Sequence, residues 1–297
     1  MLGTAAAAQL SRIGLDFVST DLDLDIADPG AVDGFAREQA FNHIINCAAY
    51  TDVDGAESEP ERAMAVNATG AENLARAAAA LDASLVHIST DFVFSGKADR
   101  PYREDDHCSP VNAYGQSKLQ GERLLLATAQ ERPASSRRLF IIRTSWLFGE
   151  NGASFVGTVL SLVCSRDRLK VVDDQSGRPT YCRDLAEAAL DLVGLKVRTE
   201  GEASPQALPP SGIYHFANRG ETTRYDFALG VLEAARSKGF PVRATGIDPV
   251  SSSAFPRPAR RPPYSVLSTE RIESALGRAP RHWRATLDDY LEVVKKA

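Results

Sequence analysis

Short apolar runs alternate with helical stretches through the first half of this chain, and that alternation narrows the fold more than any other property. Residues 43–49 (HIINCAA), 85–89 (LVHIS) and 139–144 (LFIIRT) each suit one strand buried on both faces. Two further apolar runs, 15–20 and 22–26, precede them. Helical segments are expected over 56–81 and 114–126, and Asp28 followed by Pro29 marks another helix start. Proline suits a first turn because its missing N–H would find no partner there anyway. Strand and helix in strict succession predict a parallel sheet with helices on both faces.

Beyond residue 145 the alternation loosens. The pattern predicts a strand and turn over 169–177, a helix over 183–193, a polar Pro-bearing loop over 200–212 and a strand over 212–217. A helix over 225–238, a Pro- and Arg-rich segment over 251–263, and helices over 268–276 and 283–294 complete the chain. The expected fold class is α/β: a Rossmann-like doubly wound parallel sheet with a smaller C-terminal α/β lobe. Residues 1–150 read as a nucleotide-binding core. Residues 151–297 read mainly as a substrate-binding lobe, with some segments returning to the core.

Composition excludes several classes. With 34 Lys and Arg against 39 Asp and Glu, the net charge is -5, so a nucleic acid polymer is not an expected partner. Cys47, Cys108, Cys164 and Cys182 form no CxxC pair, which leaves zinc and disulfide exchange without support and fits reduced thiols in the cytoplasm. Histidines 43, 87, 107, 215 and 282 are scattered, so no metal site is expected. No apolar run reaches the roughly 20 residues of a membrane helix, and no secretory leader is legible.

The strongest chemical signal is Tyr114-Gly115-Gln116-Ser117-Lys118. Tyr and Lys four apart share one helix face. A phenol normally titrates near 10, and a neighbouring ammonium is expected to lower that value. Such a Tyr can protonate a carbonyl oxygen as hydride reaches its carbon. The spacing alone is common on ordinary helices. Ser89-Thr90-Asp91, at the end of the expected 85–89 strand, gives it context. A hydroxyl there can bind the same oxygen, because active sites of parallel sheets lie at the carboxyl ends of strands.

These residues belong to a longer series: AAYTDVDGAE at 48–57, VNATGAENL at 66–74, STDFVFSG at 89–96, PVNAYGQSKLQGE at 110–122, RTSWLFG at 143–149, DQSGRPTYCRD at 174–184 and ARRPPYSVL at 259–267. In this series the chain resembles the extended short-chain dehydrogenase/reductases, and within them the dTDP-4-dehydrorhamnose reductases. The resemblance implies that Thr90 and Tyr114 hold the 4-keto oxygen of a nucleotide sugar. Tyr114 would donate the proton, Lys118 would bind the nicotinamide ribose and tune Tyr114, and NADPH or NADH would deliver hydride. Trp146 is a candidate wall of the sugar pocket or a core aromatic. Asn112 either orders the loop before the catalytic helix or reaches substrate. Arg178, Arg257 and Arg261 are candidates for the diphosphate, each against the alternative of a solvated charge. Asp184 reads as a helix cap. A homodimer fits the resemblance, and so does a divalent cation at an acidic contact, although no cluster indicates one.

The cofactor side departs from the pattern. Gly3 matches the last glycine of the expected pyrophosphate turn. The two earlier glycines and the strand before them, roughly ten residues, are not present. The favoured expectation is a start truncated upstream; the alternative is a divergent chain that binds cofactor poorly. Asp25 and Ile26 match residues flanking adenine. Ala48, Ala49 and Tyr50 match the loop beneath the pyrophosphate and ribose. Nothing after the second run decides NADP against NAD. Two other activities share the pattern: reduction of another nucleotide-linked 4-ketosugar, and a non-catalytic role resembling the methionine adenosyltransferase beta subunit.

Overall fold

A computed structural model describes residues 1–39, 41–131, 138–195 and 208–296. Of the loop expected over 200–212, residues 200–207 lie outside the described residues. The first half runs α1 (Leu2–Arg12), α2 (Pro29–Glu38), β1 (His43–Asn46), α3 (Gly55–Ser58), α4 (Pro60–Met64), a π-helical turn (Ala65–Thr69), α5 (Gly70–Ala80), β2 (Ser84–Thr90), a 3₁₀ turn (Asp91–Val93), α6 (Ala113–Gln130), β3 (Leu139–Thr144) and β4 (Leu147–Phe148). The second half runs α7 (Phe155–Ser165), β5 (Arg168–Val172), β6 (Ser176–Gly177), β7 (Thr180–Tyr181), α8 (Cys182–Leu192), β8 (Gly212–His215), β9 (Thr222–Thr223), α9 (Arg224–Ser237), β10 (Gly246–Val250), α10 (Glu270–Leu276) and α11 (Trp283–Lys296).

The main sheet is parallel throughout, in the order β1-β2-β3-β8, with Ile45 opposite Val86 and Ile88 opposite Ile142. Its two faces follow the strand period of two. Leu85 and Ile141 pack under α5 and α6 with Ala71, Ala75, Ala78 and Leu125. Val86, Phe140 and Ile142 pack on the other side against Leu2 and Ala6 of α1 and Leu185 and Ala189 of α8. All six residues of β3 are buried, which explains why that strand reads as a continuous apolar run. The C-terminal lobe has its own core, where Phe148, Val159, Phe227, Trp283 and Tyr290 meet.

Local chemistry sets the helix starts. Asp28 Oδ1 accepts from the Gly30 and Ala31 amides at 2.8 and 3.3 Å, with Pro29 behind it. Pro60 opens α4 at its first position, without a side-chain cap, and makes the break that a proline favours within the helical segments expected over 56–81. The π-helical turn divides that stretch again.

The apolar runs 15–20 and 22–26 form no strand. A strand exists only where a neighbour takes its backbone donors and acceptors, and none of the described strands pairs with this stretch. Leu15, Phe17 and Val18 remain 39%, 40% and 52% exposed. Together with β1 they border a cavity of about 480 Å³.

Candidate active site

The carboxyl end of β2 carries Ser89 and Thr90, and the chain turns there at once into the 3₁₀ turn. Thr90 Oγ1 caps that turn, accepting from the Phe92 amide at 3.2 Å. Asn112 starts the facing helix α6: its Oδ1 accepts from the Gly115 amide and its Nδ2 donates to the Arg260 carbonyl, both at 2.7 Å. Asn112 is buried and orders the helix entry and the 251–263 segment. Gly115 sets the approach of α6 to β2. A Cβ there would lie 2.2 Å from the Phe92 carbonyl oxygen, so only glycine lets the helix rest on the 3₁₀ turn.

That approach brings Tyr114 to Thr90. The Tyr114 ring stands edge-on to Phe92 at 5.6 Å, and its phenol faces the Thr90 hydroxyl. One helical turn on, Lys118 is buried with its ammonium donating to the Ile88 carbonyl at 2.6 Å and 3.3 Å from His87 Nε2. Another turn on, Glu122 accepts from Ser89 Oγ at 2.5 Å and from Arg143 Nε and Nη2 at 3.0 and 2.7 Å. The Tyr114, Lys118, Glu122 spacing of four is the sequence signal for this whole face; the ion-pair role of Glu122 was not read from it.

The charge states differ from the sequence expectation. Tyr114 is pushed up to about 12 by burial, with the Asp91 charge adding to the shift and only the Thr90 hydrogen bond opposing it. Lys118 does not depress it, since the ammonium is engaged by β2, and burial brings Lys118 itself down to about 8. Tyr114 is therefore a neutral phenol at physiological pH, the form that can donate a proton.

The remaining candidates fall into two groups. On the lobe side, Trp146 has a left-handed backbone (φ 48°), with the Arg224 guanidinium 3.8 Å above its ring. Gly177 makes room for the ring, since a Cβ there would lie 2.6 Å from it. Arg178 has a buried Nε with no hydrogen-bond partner among the described residues. Arg257 and Arg261 are both engaged by Asp54, which accepts from Arg261 Nη2 at 2.8 Å, the Ala259 amide at 3.1 Å and Arg257 Nη1 at 3.3 Å. Arg261 first, and then the Ala259 amide, holds Asp54 down at about 2 against the opposing cost of burial. Asp54 is a residue sequence reasoning missed, because its partners lie some 200 positions away. Asp184 sits in the first turn of α8 and accepts from Asn218 and Arg281.

On the other side, the start of α1 lies at the carboxyl end of β1, where a Cβ on Gly3 would be 3.7 Å from the Cys47 side chain. Met1 precedes this 11-residue helix and makes no side-chain cap hydrogen bond. Ala48 is exposed and Ala49 half-buried just beyond β1, while Tyr50 is fixed by its amide on Asn67 Oδ1 (2.9 Å) and its hydroxyl on Glu59 (2.8 Å). Asp25 is exposed and caps the Ala27 amide, whereas Ile26 is a core residue against Val32 and Leu74. Gly3, Ile26 and Ala48 all border the large cavity. Small residues at the strand end and a buried ammonium one helical turn from Tyr114 fit a dinucleotide. Among the described residues no group of His, Cys, Asp and Glu is placed to hold a metal ion, and no helix is long and apolar enough to cross a membrane.

Residues 1–296 match the family model described as the RmlD substrate binding domain. A dTDP-4-dehydrorhamnose reductase of Mycolicibacterium smegmatis is 42% identical over 299 residues, covering 99% of this chain and 83% of the relative. This chain belongs to the dTDP-4-dehydrorhamnose reductase family. The crystal structure of a dTDP-4-dehydrorhamnose reductase from Clostridium acetobutylicum superposes with a TM-score of 0.86 at 37% identity, covering 99% of this chain and 96% of the other. That of the Bacillus anthracis reductase, solved in complex with NADP, superposes with a TM-score of 0.85 at 32% identity, covering 98% and 95%.

Proposed function

We propose that this protein reduces dTDP-4-dehydro-L-rhamnose to dTDP-L-rhamnose with NAD(P)H. The observation that carries this reading is the meeting of Thr90, Tyr114 and Lys118 at the carboxyl end of a parallel sheet, in a chain that matches the reductase family along its length. When bound, NAD(P)H supplies the hydride that reaches C4 of the sugar. Tyr114 donates its proton to the 4-oxygen as negative charge builds there. The Thr90 hydroxyl holds the same oxygen. Lys118, buried and held by the Ile88 carbonyl, meets the nicotinamide ribose in this reading.

Lys118, Gly3, Asp25, Ile26, Ala48, Ala49 and Tyr50 form the cofactor side in this reading. Trp146 walls the sugar, and Arg178, whose Nε lacks a partner among the described residues, meets the diphosphate. Asn112, Arg257 and Arg261 act by holding the 251–263 segment over the site. The core of residues 1–150 and the lobe of residues 151–297 divide cofactor from substrate, with β8 returning to the main sheet. A free nucleotide sugar as substrate places the reaction in the cytoplasm. The protein is a homodimer in this reading, which sedimentation velocity tests.

The deciding assay follows the absorbance of NADPH and of NADH with the 4-keto sugar and identifies the product by NMR. Oxidation coupled to dTDP-L-rhamnose formation is expected. No oxidation with either nucleotide would reject the activity.

A further inference from the structure

Asp91 is the group of this site for which the reaction as derived has no use. It is the first residue of the 3₁₀ turn, 2% exposed, and its Oδ1 accepts from the Thr90 hydroxyl at 3.1 Å. Its Oδ2 is buried and has no hydrogen-bond partner among the described residues. Ser265 of the segment after residue 263, Arg224 at the start of α9 and Tyr114 of α6 are the polar groups that face the carboxyl. A carboxylate buried in this way, with one oxygen unpaired, is costly unless the site uses it.

We propose that Asp91 is a proton-holding and positioning residue, which acts through Thr90 to resupply the proton that Tyr114 gives to the sugar. This rests on the reductase reading above. The three groups form one chain: phenol, Thr90 hydroxyl, Asp91 carboxyl. Once Tyr114 has protonated the 4-oxygen, its phenolate is the strongest acceptor in reach. The Thr90 proton moves to it, and the carboxyl proton of Asp91 moves to Thr90. One proton leaves Asp91, one arrives at Tyr114, and Thr90 is unchanged. The carboxylate left behind is balanced by Arg224 and regains its proton from solvent. Burial supports this cycle, since it pushes Asp91 up to about 6, within reach of neutral pH.

The test compares single-turnover hydride transfer, with enzyme in excess, to steady-state turnover in Asp91→Asn. Asn keeps the shape and removes the titratable proton. The first transfer uses the proton already on Tyr114, so it should stay within about twofold of the unaltered protein. Steady-state kcat should fall about tenfold or more, at the low end of a general acid's contribution. Equal losses in both rates would mean a structural role, and no loss in either would mean no role; each overturns the proposal. The unaltered protein gives a second test that does not depend on the variant folding. Its kcat should decline as pH rises above about 6 while its single-turnover rate stays level, and coincident profiles would overturn the relay. Absence of any nicotinamide oxidation by the unaltered protein is a separate outcome, which removes the reductase reading and the relay with it.

Discussion

Replacing Glu122 with Gln should destabilise the protein by about 3–5 kcal/mol, the cost of breaking a buried pair by removing one partner. Glu122 and Arg143 side chains are only 2% and 3% exposed. Glu122 is the only carboxylate Arg143 pairs with among the described residues; the guanidinium also lies 3.4 Å from the Glu104 carbonyl and from His215 Nε2 and 5.1 Å from the centre of the Phe94 ring. Gln would leave a buried guanidinium without its counter-charge and would loosen the Ser89 hydroxyl. Urea denaturation monitored by circular dichroism measures the change. The reasoning also predicts that Glu122→Met with Arg143→Met recovers most of the loss, because two apolar groups remove both desolvation costs. A loss under about 1 kcal/mol in Glu122→Gln, or a double variant weaker than the single, would refute it. Activity should fall along with stability, since Glu122 ties α6 to the strand that carries Thr90.

Gly115→Ala should lower kcat strongly while leaving the far lobe intact, because the added Cβ meets a backbone oxygen and forces α6 away from Thr90; a crystal structure with kinetics checks both parts. Asp54→Asn should raise KM for the nucleotide sugar and speed proteolysis within 251–263, because that segment loses its anchor on Arg257 and Arg261. The Asp54 pKa is depressed in the folded state to about 2, so its stabilisation is present above the unfolded value near 3.8 and is lost as pH falls from there through 2. Acid unfolding of Asp54→Asn should accordingly show a smaller dependence on pH in that window.

Much of the sheet was legible because burial on both faces leaves a plain trace: 139–144 coincides with β3, and β1 and β2 lie inside or within a residue of their apolar runs. Tyr114 and Lys118 were legible through helix spacing, and Thr90 through its place at a strand end. What escaped depended on partners distant in sequence. Residues 15–26 are apolar enough for strands but pair with no strand among the described residues. The π-helical turn at 65–69 is held by tertiary contacts, including Asn67 on Ser117 at 2.9 Å. The anchoring of Arg261 by Asp54, and the raised rather than lowered pKa of Tyr114, follow from burial that no local pattern encodes.

Steady-state oxidation of NAD(P)H by Tyr114→Phe, with dTDP-4-dehydro-L-rhamnose as acceptor, tests the role of Tyr114 most directly. Phe keeps the ring against Phe92 and removes only the proton-donating hydroxyl. Turnover should fall by about 10²–10⁴-fold with melting temperature and cofactor binding little changed. Turnover near that of the unaltered protein in a folded Tyr114→Phe would contradict the assignment of Tyr114 as the proton donor.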